Sequence, residues 1–355
     1  MDKEMNRKIP ILTIAIPTYN RADSLKYLVD KIIPYLNNNL KLLIIDNNSS
    51  DNTEKYMSIW NEKIRENIKC LRNNSNLGGV VNMLRCVEFS FSKYIWLLGD
   101  DDDINAKYLD ELVNILSNED SYSFHLIPKS RQDRNINKYI FNDKLDFKNN
   151  FYDITALYLM SSNIYNVDEA KKYLSQAYRL VHLQHAFSLF HSKFLEKNKI
   201  IKILNLPILE QERITLKRWA KFTAHIDALE TTNILFGKDL VNKEYKIRKK
   251  QLLRISVLSS LLSYDKEGFN LEEVKRLIRL LSLTNLTIPI LLLIILSMNN
   301  KYFKPLLIYS FYIIFFLKHG RNYKNVIKNY LGIPKEYDIN FQRNFKYSKK
   351  TIFKN

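Results

Sequence analysis

Over the first hundred residues, short runs of β-branched and aliphatic side chains alternate with stretches in which apolar positions recur every three to four residues. The runs at 11–16, 41–45, 68–71 and 94–98 read as strands, and 24–36, 53–66 and 80–89 read as amphipathic helices. This order predicts an α/β fold, a Rossmann-like, mostly parallel sheet joined by right-handed crossover helices. In such a sheet the loops after the strand carboxyl ends form the ligand crevice, so 17–21, 46–51 and 99–103 are predicted to converge.

Beyond Ser117 the pattern loosens. Segments 121–126, 138–140 and 154–158 read as short strands, 167–196 as helices, and 206–281 as a further helical region. Two apolar stretches, 288–298 and 306–317, follow, separated by Asn299, Asn300, Lys301, Lys304 and Pro305. Each is shorter than the about 20 apolar residues needed to span a bilayer. Flanked by Lys301, Lys304, Lys318, Arg321 and Lys324, they suit a membrane-interfacial segment over 286–318 attracted to anionic lipid. A buried helical hairpin is the alternative. The expected organisation is a catalytic domain over 8–205 and a helical C-terminal region over 206–355.

With 355 residues and 46% hydrophobic content, the chain is long and apolar enough to fold around a core. Its formal charge of +18 favours polyanions, nucleotide phosphates or anionic lipid without choosing among them. Cys70 and Cys86 are too few for a disulfide framework and lack metal-ligand spacing. The polar start at 1–7 lacks a signal-peptide pattern, so a cytoplasmic location is expected.

The sharpest chemical feature is the apolar strand that ends in Gly99-Asp100-Asp101-Asp102-Asp103. Adjacent carboxylates repel one another unless a cation offsets them. Oxygen-only donors suit Mg or Mn, which leave coordination positions for substrate phosphates. A solvated acidic loop capping the helix that starts near Asn105 is the alternative. Pro17-Thr18-Tyr19-Asn20-Arg21 and Asp46-Asn47-Asn48-Ser49-Ser50-Asp51 carry groups that could read a base and a ribose, although Ser50 or Asp51 also looks like a helix cap. The Gly-containing loop at 73–79 precedes a helix and could offer backbone N–H groups to phosphate, or be an ordinary turn. Dinucleotide, nucleoside-triphosphate and zinc-protease signatures are missing from the sequence.

Taken together, Pro17 to Arg21, Ile45-Asp46-Asn47-Asn48-Ser49 with Asp51, Asn76-x-Gly78, and Tyr94 to Asp102 resemble glycosyltransferase family 2 of the GT-A fold, in order and spacing over about 10–116. The Leu-Leu-Gly-Asp-Asp-Asp form, with Ser161-Ser162-Asn163-Ile164 further on, looks most like the bacterial abequosyltransferase-type members. The resemblance implies an inverting transfer of a sugar from a nucleotide-diphosphate donor to an acceptor hydroxyl, in bacterial surface-glycan synthesis. It implies that Asp101 ligates the metal, with Asp102 as the fallback if the frame slips by one. Nucleotide contacts would come from Pro17, Thr18, Tyr19, Asn20, Arg21, Asp46, Asn47, Asn76, Gly78 and Asp100.

Two departures from the family pattern stand out: Gly99 replaces the first acid of the Asp-x-Asp signature, and Asp46-Asn47 replaces a pair of acids. The base-bearing segment maps to 181–187, which makes His185 the candidate for taking the acceptor proton, with Asp153 second. A packed or exposed structural histidine is the plainer reading of His185. The implied partners are a nucleotide sugar, a divalent cation, a saccharide acceptor and the inner face of the membrane; a lipid-linked acceptor would make the interfacial segment sensible. A nucleotidyltransferase of similar fold would carry a Gly-rich Lys or Arg signature near its first strand, and none is present. A nucleic-acid-binding protein is disfavoured because Lys and Arg are dispersed and the acid run repels phosphate.

Overall fold

The computed structural model describes residues 9–64, 66–129, 136, 138–151, 157–210 and 231. The chain divides into two compact units, Met1–Ile214 with Thr231–Leu240, and Thr215–Glu230 with Val241–Asn355; the described residues belong to the first. Asp153, most of the region 206–281 and the segment 286–318 lie outside the described residues.

The apolar runs become strands β1 (Leu12–Thr18), β2 (Leu40–Asp46), β3 (Ile68–Arg72) and β4 (Tyr94–Leu97), connected by helices α1 (Ala22–Ile32), α2 (Thr53–Lys63) and α3 (Gly79–Phe89). Pro34 lies in a tight 3-10 turn over Ile33–Tyr35 that follows α1. Then come α4 (Leu109–Ser117), β5 (Ser123–Leu126), β6 (Ile140–Phe141), α5 (Lys144–Asn150), β7 (Asn163–Asn166), α6 (Val167–Lys171), α7 (Leu174–Tyr178), α8 (Leu189–Glu196) and β8 (Ile201–Leu204). They form one eight-stranded sheet in the order β3-β2-β1-β4-β7-β5-β8-β6. β3, β2, β1 and β4 are mutually parallel; β7 runs antiparallel to both β4 and β5.

Strands covered on both faces need apolar side chains at nearly every position. Ile14, Ile16, Leu42, Ile44 and Trp96 pack towards α1, α2 and α4, while Ala15, Leu43, Ile45, Ile95 and Leu97 pack towards α3 and α8. The period of two thus divides one continuous apolar run between two cores.

The helices expected over 167–196 are α6, α7 and α8, separated by turns. Two sequence expectations need correction. Leu157 and Tyr158, expected at the end of a strand over 154–158, lie in a helical turn, and 206–210 form a turn in which Leu209 bridges Ile104 antiparallel. β7 and β8, four residues each, fall where the sequence pattern assigned no element; they are strands because β4, β5 and β6 offer them backbone partners.

β1 continues through β2 to β3 on one side, and the chain then returns to place β4 on the other side of β1. This reversal creates a crevice at the carboxyl ends of β1 and β4. The parallel register pairs Ala15 with Leu97, so Thr18 and Asp100, each three residues further on, reach the same edge.

Candidate functional site

The three predicted loops meet at that edge. Thr18 Oγ1 donates to Asp100 Oδ2 at 2.8 Å, and Arg21 Nη1 donates to Asp100 Oδ1 at 2.8 Å while also pairing with Asp101. Asn20 takes a left-handed backbone conformation (φ 52°), which asparagine tolerates better than most residues. Its N–H donates to Ser49 Oγ at 2.8 Å, and its Oδ1 accepts from the Ser50 N–H at 2.7 Å, joining the first loop to the second. Asp51 completes the join by accepting from the Ala22 N–H at 2.9 Å and the Thr53 N–H at 3.0 Å, so one carboxylate satisfies the first turns of both α1 and α2. Burial works against ionisation of Asp51, but the bonds from Thr53 and Ala22 outweigh it and hold the carboxyl below its usual range.

The second loop is braced from within. Asp46 is fully buried and accepts from Arg72 Nη1 at 2.6 Å and from the Ser49 N–H at 3.0 Å, as well as from the Ser49 hydroxyl. Asn47 accepts from Asn73 Nδ2 and the Leu77 N–H, both at 2.9 Å, and donates to Asn76 Oδ1 at 2.7 Å. Asn76 Oδ1 also accepts from the Gly78 N–H at 2.9 Å. In the 73–79 loop, which could have been either a phosphate-binding loop or an ordinary turn, the Leu77 and Gly78 N–H groups are therefore spent on the Asn47 and Asn76 side chains. Gly78 is required by its φ of 86° and not by crowding, since a side chain there would meet nothing. In this edge the exposed groups include Tyr19, 42% exposed, Asn20, Asn48, Ser50, Asp51 and Asn76; Pro17 is half-buried and pairs in register with Ile45.

The acid run splays, with Asp100 and Asp101 sharing one arginine and Asp102 and Asp103 turning to partners of their own. Asp100 is buried against Thr18 and Arg21; burial pushes its carboxyl up to about 6, opposed by the Arg21 charge and the Thr18 bond. Asp101 shares Arg21 and keeps a more open side chain, 38% exposed, than Asp100 at 9% or Asp103 at 25%. Asp102 folds back to accept from the Gly99 N–H at 2.9 Å and from the Ser161 hydroxyl. Asp103 pairs with Lys31 of α1. Protein cations thus already offset much of the repulsion from which a bound metal was inferred.

Gly99 fits this arrangement because a Cβ there would stand 2.7 Å from Asp102 Oδ2. The sequence marked Gly99 as a departure but gave no sign that Ser161, 59 residues after Asp102, would hold that carboxylate. Arg72 was also missed as the partner of Asp46; a lone cation at a strand end carries no local signal.

Among the described residues no three His, Cys, Asp or Glu side chains gather to cage an ion. The donor set still fits Mg or Mn, because such ions commonly take one or two carboxylates and complete their shell with water and substrate phosphates. Asp101 offers the exposed oxygen for this and Asp102 is its neighbour. Beside the run lies a shallow cleft lined by Asp102, Asp103, Ser161, Ser162, Leu209 and Glu210 among others. His185 is buried, its ring 4.7 Å from that of Tyr158 and 6.1 Å from that of Phe187.

The family model described as Glycosyl transferase family 2 matches residues 13–197, which include β1 to β7 and every strand-end loop of this edge. Abequosyltransferase RfbV of Salmonella typhimurium is 34% identical over 94 residues, 26% of this chain and 28% of that relative, so the chain spans well under half of its length. Among solved structures, S. aureus TarS 1-349 in complex with UDP-GlcNAc is 16% identical, covering 76% of this chain and 79% of that chain with a TM-score of 0.49. The mannosyltransferase PcManGT from Pyrobaculum calidifontis, in complex with GDP-Man and Mn2+, is 13% identical, covering 77% and 79% with a TM-score of 0.48.

Proposed function

The chain belongs to glycosyl transferase family 2, and from that premise we propose that it is an inverting glycosyltransferase. It takes a hexosyl or deoxyhexosyl group from a nucleotide sugar to an acceptor hydroxyl of a bacterial surface glycan. The observation that carries this reading is the crevice between β1 and β4. There an edge of exposed side chains adjoins an acid run in which Asp101, 38% exposed, suits a cation.

In this reading Tyr19, Asn20 and Asn48 face the base and ribose, and Asp46 and Asn47 fix the loop that presents them. Asp46 holds Arg72 and Ser49, so its effect on the nucleotide is transmitted through loop shape. A divalent ion bound through Asp101 would offset charge developing on the departing nucleoside diphosphate. Thr18 and Arg21 hold Asp100, and Ser161 holds Asp102, so the acids arrive pre-oriented, with little reorganisation left for the reaction. The cleft walled by Asp102 and Glu210 lies beside this edge and has hydrogen-bonding groups suited to a polyhydroxylated acceptor. The acceptor proton passes to His185 or Asp153. No helix among the described residues is long and apolar enough to cross a membrane; contact with the inner membrane face is assigned to 286–318, from its apolar and basic sequence.

Release of nucleoside diphosphate from a panel of nucleotide sugars tests the proposal. Release that stops with chelator and in Asp101→Ala, with folding retained, is the expected result. Full release under either condition defeats the metal assignment, and no release from any donor defeats the transferase reading. Substituting His185 and Asp153 in turn then assigns the base, the true one costing about two to four orders of magnitude in turnover.

A further inference from the structure

Arg21 occupies a position that an incoming cation must contest. Its Nη1 reaches Asp100 Oδ1 at 2.8 Å and also pairs with Asp101, so one guanidinium serves both carboxylates. Its side chain is only 18% exposed and its charge cannot be shed by deprotonation. The two ends of the pair are unequal. Asp100 is buried and tied by Thr18 as well, whereas Asp101 is the more open of the two.

A divalent ion approaching Asp101 in the empty protein therefore meets a fixed positive charge beside that carboxylate. A nucleoside diphosphate changes the balance. It brings the anionic charge that lets two cations share the edge, and its phosphates match the guanidinium fork better than a single carboxylate oxygen does.

We infer that Arg21 is the resident counterion of Asp101, which keeps divalent-ion affinity low in the empty protein and transfers to the donor diphosphate when ion and donor enter together. Ion and nucleotide are then obligately coupled, and the coupling resides in Arg21. The inference rests on the assignment of Asp101 as ion ligand made above. It predicts opposite signs for one substitution: loss of the guanidinium strengthens ion binding in the empty protein and weakens nucleotide binding. A purely structural arginine would weaken both.

The test uses the full chain, with Mn2+ binding followed by electron paramagnetic resonance and UDP, CDP and GDP binding by calorimetry, each with and without the other. For the best nucleotide, Mn2+ should strengthen binding about tenfold or more in the wild type. In Arg21→Gln, Mn2+ alone should bind about fivefold tighter than in the wild type, and the coupling should fall below about threefold. Arg21→Lys, which keeps the charge, should retain most of the coupling. Mn2+ binding to Arg21→Gln no tighter than to the wild type overturns the inference. So does a wild type that binds Mn2+ equally well with and without nucleotide, an arm that needs no variant to fold. Asp101→Asn separates the two levels: if it removes Mn2+ binding while Arg21→Gln has no effect, only the role of Arg21 fails. If Asp101→Asn binds Mn2+ normally, the ligand assignment fails and this inference with it.

Discussion

The two halves of the sheet bury polar side chains in different ways. At the carboxyl ends of β1, β2 and β4, Asp46, Asn47 and Asp100 are buried with two or more hydrogen bonds each, Asp46 and Asp100 each taking one from an arginine. In the half built from β5, β7 and α8, the Ser123 and Tyr165 hydroxyls and both ring nitrogens of His191 have no partner among the described residues. The division is not absolute, since Thr13 Oγ1 and Asn73 Oδ1 in the first half are also unpartnered. What differs is consequence. Partnered groups tie loops into one geometry and prepare a crevice for a ligand, whereas unpartnered ones only tax the fold, so burial of an ionisable side chain does not by itself mark a site.

The comparison breaks most readily at Asp46. Asp46→Ala leaves Arg72 facing an emptied, fully buried position and frees the Ser49 N–H, so unfolding free energy by urea titration should fall by about 3 kcal/mol. A loss below about 1 kcal/mol would mean that the network holds little.

Gly99→Ala acts on position with less effect on stability. Its Cβ would come 2.7 Å from Asp102 Oδ2 and displace that carboxylate. Turnover should drop by about 10- to 100-fold with the melting temperature nearly unchanged. Unaltered turnover would show that the folded-back Asp102 is not needed for transfer.

His191 sharpens the other side. Burial, with the neighbouring His125 adding to it, pushes its ring down to about 3 from 6.5. The folded chain keeps the ring neutral where the unfolded chain takes a proton. This contribution to stability is therefore intact above pH 6.5 and is lost as pH falls from about 6.5 towards about 3, at up to about 1.4 kcal/mol per pH unit. His191→Leu should flatten the fall in urea midpoint between pH 6.5 and 4.5 while transfer at pH 7.5 stays normal. An unchanged slope would place the acid sensitivity elsewhere.

The parallel half was legible in the sequence because each strand is a run of apolar residues cut off by polar loop residues, and topology then fixes where those loops must meet. The acid run was legible for the same reason. The partners were not. Arg72, Ser161 and Lys31 lie 26, 59 and 72 positions from the carboxylates they hold, distances at which no local pattern operates. β7 was hidden because four residues with asparagine at both ends show no alternation long enough to count, although it lies between β4 and β5 inside the sheet. His185 was singled out for an ionisable ring on a mapped segment, and the structure adds that the ring is packed on Tyr158, a contact 27 residues apart in sequence.

The carboxylate of Asp51 binds the N–H groups that open both α1 and α2. A fluctuation that swings this one side chain away exposes Ala22 and Thr53 to solvent at the same moment, so their amide protons share a single opening event. The first two loops of the crevice consequently loosen as one cooperative unit, and a nucleotide that steadies either of them slows solvent exchange in both.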